Sequence, residues 1–172
     1  MHTYEPLWTD DQRTWKYVGG EPVRGVEDIA RAAPHDPGFG RTTYPETLHL
    51  DAEGRFRCYM NMSSFEGLRR WEADLRSLDD AWDLGAGRRC GANWLIIESR
   101  QRWMHDGPSI DERDARAFLT VKKAMAEVGM NILDVIIAND QNQWWSLHEL
   151  TMGTTEWSFV PRLIRRQRHT FA

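Results

Sequence analysis

His105, Asp106, Asp111 and Asp114 crowd into one polar stretch that leads into an apolar-periodic segment. Imidazole and carboxylate are the donor types of a divalent metal site, and a bound metal lowers the pKa of its water. The same acids also suit a first helical turn, where the macrodipole favours negative charge. Ser109 and Glu112 have the spacing of a capping box, which points the same way. Glu98 closes an apolar run and faces the same loop. It is a candidate general base, or a strand-end carboxylate that meets solvent or pairs with Arg100 or Arg102. His49 and His148 fall in expected strands, and they join His105 in a three-His site only if the fold brings all three together. There is no Gly-x-Ser-x-Gly elbow and no Gly-rich phosphate loop, so serine hydrolase and nucleotide-binding motifs are absent.

A second group of residues suits binding rather than catalysis. The chain has nine Trp, a side chain that fills cores and anchors interfaces. Trp144 and Trp145 are adjacent, and strand alternation sends one ring inward and the other outward. Trp103 lies in the polar loop beside His105. Arg165, Arg166 and Arg168 make the C-terminal end basic, a pattern that could contact phosphates or dock on acidic residues.

Several elements must position these groups. Thr47 to Leu50 and Phe56 to Met62 read as a hairpin around the turn Asp51-Ala52-Glu53-Gly54. Ser63 and Glu66 have capping-box spacing, and Phe65, Leu68, Trp71, Leu75, Leu78 and Trp82 then mark one helical face. Asn93 to Glu98 reads as a buried strand. A second helix runs from Ser109 and buries Phe118, Val121, Met125 and Val128, with Gly129 as its stop. Ile132 to Ala138 is a further buried strand. Trp144 to Leu150 is expected to pair back as another. The order is that of a single mixed-sheet α/β domain with two main helices.

Residues 1–45 are expected to be an irregular N-terminal arm, punctuated by Gly and Pro, with a short helix over Val26 to Ala33. Residues 46–152 form the α/β domain, and residues 153–172 a basic tail. The 172 residues suit one domain. Net charge is −4, which disfavours bulk attraction to nucleic acid or anionic membrane. Two Cys give no disulfide framework. No signal-peptide pattern and no apolar span occur, so a cytoplasmic location without membrane contact is expected.

The stretch Met130-Asn131-Ile132-Leu133-Asp134-Val135-Ile136-Ile137, followed by Asp140 and then Ser146-Leu147-His148-Glu149, resembles the end of a RadC-type JAB/MPN domain. Leu48-His49-Leu50-Asp51-Ala52-Glu53-Gly54-Arg55 resembles that family's first hairpin. The likeness covers roughly residues 45–150 and implies a three-layer, deaminase-like α/β architecture. It also implies zinc held by a His-x-His pair and an Asp, with a Ser and a Glu beside it. Placing Asp114 at the Asp position puts Asp111 at the Ser position and Gln101 and Trp103 at the two His positions. His105 is the only His in that loop, and Glu46 is nearest to the family's Glu. A zinc site needs three protein ligands. The leading expectation is therefore a non-catalytic JAB/MPN-like domain with no cofactor, acting through a protein partner or self-association. Nucleic acid could be contacted through the Arg-rich tail. The alternative is a divergent zinc-dependent hydrolase or isopeptidase, with one zinc on His105 and Asp114 and either Glu46 or Glu98 as base.

Overall fold

The structure, a computed structural model, describes residues 2–3, 22–28, 46–61, 68–75, 92–99, 110–127, 129–138 and 143–161. It is a mixed α/β fold built on one open sheet. The strands are β1 (His2–Thr3), β2 (Glu46–Leu50), β3 (Phe56–Asn61), β4 (Asn93–Ser99), β5 (Asn131–Ala138) and β6 (Gln143–Ser146). The helices are α1 (Leu68–Ala73), α2 (Glu112–Glu127) and α3 (Leu147–Met152). The sheet order is β1-β6-β5-β4-β2-β3. Among the described residues only β4 and β5 run parallel, and the other pairings are antiparallel.

The apolar runs account for this order. In β4 and β5 consecutive residues are buried on both faces: Trp94, Leu95, Ile96 and Ile97 in one, Ile132 to Ile137 in the other. Two-sided burial is what central parallel strands require. Register pairs Ile96 with Val135 and Glu98 with Ile137, so alternation sets Trp94, Ile96, Val135 and Ile137 on one face. These four pack in one cluster with Leu68 and Trp71 of α1 and with Ala117, Phe118, Val121 and Met125 of α2. The α2 spacing of three and four is the predicted one at Phe118, Val121 and Met125, while Val128 lies outside the described residues. Helix α2 begins at Glu112 rather than Ser109, because Asp111 is the residue that caps it. Asp111 Oδ1 accepts from the Arg113 and Asp114 amides, and Asp114 Oδ2 accepts from the Asp111 amide.

The expected strand from Trp144 to Leu150 is only half a strand. Its first residues pair with β5, but the chain turns helical at Leu147. Ser146 N-caps α3 and accepts from the Glu149 amide at 3.0 Å. Ser146 and Glu149 have capping-box spacing, a signal that overrides the apolar Leu147 and Leu150. The Ser63–Glu66 cap lies outside the described residues, and of the expected helix over Val26 to Ala33 only residues 26–28 are described as helical.

Parts of the presumed arm and tail are built onto the domain. Val23, Val26 and Trp157 are buried. Val26 N donates to Thr155 O, Trp157 N donates to Arg24 O, and Gly25 bridges Glu156. A Cβ on Gly25 would lie 2.0 Å from the Thr155 carbonyl oxygen. Backbone cannot yield as a side-chain tip can, so Gly25→Ala is expected to cost about 2 kcal/mol or more. Chemical denaturation of the variant beside wild type checks this, and an unchanged midpoint would refute it.

Candidate functional site

Two clusters of polar groups are buried in the described residues. The first lies where α1 and α2 begin. Asp114 is fully buried, yet its carboxylate is doubly held by Arg69: Nε to Oδ1 at 3.1 Å and Nη2 to Oδ2 at 3.2 Å. Arg69 Nη2 also reaches Asp111 Oδ1 at 3.2 Å. Fork-to-fork pairing of this kind is the strong form of a guanidinium–carboxylate contact. Glu98, half-buried at the end of β4, accepts the Leu68 amide at 2.9 Å. The first turn of a helix leaves its amides without intrahelical partners, so Glu98 satisfies the start of α1 as Asp111 and Asp114 satisfy the start of α2. A strand-end carboxylate open to solvent was one expectation for Glu98, and the structure sets it on a helix start.

Removing the Arg69 fork leaves a buried carboxylate with fewer donors. Because Arg69 is itself partly exposed, Arg69→Ala is expected to cost about 1–3 kcal/mol, with Arg69→Lys recovering only part. Urea denaturation of the three proteins measures this, and equal midpoints for alanine and wild type would contradict it.

The second cluster was not anticipated as a site. Asp134 is fully buried in β5. It accepts from Ser146 Oγ at 2.5 Å, from the His148 amide at 2.9 Å and from Trp157 Nε1 at 3.1 Å. Burial pushes the Asp134 carboxyl up to about 7, against the opposing pull of these bonds and of the Val135 amide. Lys122, on α2, donates Nζ to Ile132 O at 2.5 Å. Burial lowers its pKa and the nearby Asp134 opposes that fall. The His148 ring is bonded through Nε2 to Glu156 O at 2.7 Å, and burial lowers its pKa more than that carbonyl raises it. One carboxylate thus ties together β5, the cap of α3 and the segment after it. A lone Asp inside the apolar run Ile132 to Ile137 was the available signal, because an acid there needs buried donors.

The remaining predicted residues are dispersed. His49 is fully buried in β2, hydrogen-bonded through Nε2 to the Thr47 hydroxyl at 2.9 Å and set edge-on to Trp94. Three strand steps separate β2 from β6, roughly 14 Å at ~4.8 Å per step. His49 and His148 therefore do not converge, and a three-His site does not form around them. Glu46 opens β2 opposite Ile97 and Asn61. Trp144 is buried and Trp145 half-buried, which is the expected alternation. Trp103, His105, Arg165, Arg166 and Arg168 lie outside the described residues. Among the described residues no three His, Cys, Asp or Glu side chains group as a metal ion would need. No helix among them is long and apolar enough to cross a membrane. No protein-family model matches this chain, and no curated protein matches it.

Proposed function

We propose that the chain is a non-catalytic domain of JAB/MPN-like architecture that works through contacts with other protein surfaces. The observation that carries this reading is the employment of its acids. Asp114, the residue a family-type zinc would need, is fully buried and already gripped by Arg69 and the Asp111 amide. Glu98, one of the two candidate bases beside Glu46, takes up the first amide of α1. A general base must be free to reach a proton on a substrate or water, and a metal ligand must turn a lone pair to the metal. Groups that hold helix starts are spent on the fold. Leu119, Leu150 and Met152 are the large apolar side chains exposed among the described residues, and they suit contact with a protein surface more than a polar substrate.

Metal content per chain decides between this reading and a divergent zinc hydrolase. Protein purified without chelator is expected to hold far less than one zinc per chain, with no change in Asp114→Asn. One zinc per chain, lost when either His105 or Asp114 is replaced, would overturn the proposal and direct attention to isopeptidase substrates.

A further inference from the structure

We infer that the seat of residues 155–160 is an exchangeable peptide site, which a second copy of this chain fills with its own residues 155–160. The segment lies outside every helix and strand and is gripped from both sides by groups that read backbone. On one side stand residues 24–26: Val26 N donates to Thr155 O at 3.1 Å, and Trp157 N donates to Arg24 O at 2.8 Å. On the other side stand two amides at the starts of β4 and β5. Asn93 Nδ2 donates to Val160 O at 2.8 Å while Asn93 Oδ1 accepts from Val160 N at 2.9 Å. Asn131 Nδ2 donates to both Asn93 Oδ1 and Ser158 O, each at 2.8 Å. An Asn side chain that both donates to and accepts from one residue's backbone stands in for a neighbouring strand, the mode by which sheets bind extended peptides. Side-chain specificity comes from one anchor: of residues 153–161 only Trp157 is buried, with its indole N–H on Asp134.

None of these contacts depends on which chain supplies the segment. The link to α3 is Gly153 and Thr154, both exposed. Gly153 has φ 71°, and nothing lies within 4 Å of where its Cβ would be. Its left-handed geometry is the closing turn of α3, and extending it releases the Gly153 amide from Glu149 O, a bond of 2.9 Å. A short link between a helix and a strap with its own seat is the arrangement that permits exchange between copies. Leu150 and Met152, 55% and 46% exposed, stand just before this link. The inference stands apart from the question of catalysis, because the seat uses neither Asp114 nor Glu98.

Full-length chains test it by crossed defects. Trp157→Ala spoils the strap and keeps the seat; Asn93→Ala with Asn131→Ala spoils the seat and keeps the strap. Native mass spectrometry of the two mixed is expected to show a heterodimer that neither gives alone, and light scattering of wild type to show mass doubling as concentration rises. Wild type that stays monomeric at every concentration, with no heterodimer in the mixture, overturns the inference. So does a wild-type dimer that persists unchanged in Trp157→Ala, which would place the interface elsewhere. Should the variants not fold, a Gly-Ser insertion after Thr154 decides. A longer link makes closure of the strap on its own seat easier still, so the dimer fraction must fall, and an unchanged fraction overturns the inference.

Discussion

Replacing Asp134 by alanine is expected to cost about 3–5 kcal/mol, the largest loss at any single position considered. Its carboxylate is the acceptor for the Ser146 hydroxyl, the His148 amide and the Trp157 indole, in a place without solvent. Alanine leaves these donors buried and unpaired, and each such group carries a desolvation cost of roughly 1–3 kcal/mol. The losses are coupled rather than additive, because one shift of α3 can relieve several at once. Lys122 also loses its nearby opposite charge. Thermal and urea unfolding measure the loss. A midpoint within experimental error of wild type would mean that the junction does not hold α3 and the strap.

This junction also marks the boundary of what the sequence discloses. The hairpin, β4, α2 and β5 are legible because their patterns are local: alternation, continuous apolar runs, and steps of three and four that end at Gly129. The start of α2 is half legible. Acids near its first turn can be read, but Arg69, the group that fixes Asp114, lies 45 residues away and carries no local mark. Helix α3 was legible in principle, since Ser146 and Glu149 announce a cap, yet Leu147 and Leu150 fit a strand equally well. The packing of residues 153–161 has no periodic signal at all. It comes from Asn93, Asn131 and Asp134, each distant in sequence, and a strap held by side chains reads as an ordinary tail. Candidate chemistry followed the same rule. The acids of the loop were visible as acids, and their employment in helix starts became visible only through partners brought in by the fold.

Acid is expected to weaken the wild-type protein less than its buried His49 would dictate alone, because the buried Asp134 acts in the opposite sense. His49 sits in a dry place against Trp94, with Nδ1 unpartnered among the described residues, and burial lowers its pKa from 6.5 to about 3. The folded state thus keeps His49 neutral while the unfolded chain takes up a proton. Its contribution to stability is present above about 6.5 and is lost as pH falls toward 3, at up to about 1.4 kcal/mol per pH unit. Asp134 runs the other way. Its folded pKa is raised from 3.8 to about 7, so its contribution is fully present below about 4 and is lost as pH rises through 7, with a similar limiting slope. Between about 4 and 6.5 the two slopes oppose each other and largely cancel. Separate substitutions expose them. His49→Gln, which keeps a polar end near the Thr47 hydroxyl, leaves the Asp134 slope uncovered, so its stability declines as pH rises from 4 to 7. Asp134→Asn leaves the His49 slope uncovered, so its stability declines as pH falls from 6.5 to 4. Urea midpoints of wild type and the two variants across this range give the three curves. Parallel curves would show that the folded core shifts neither group's pKa, whereas opposite tilts about a flatter wild type would tie the tolerance of this fold to two buried residues on separate strands.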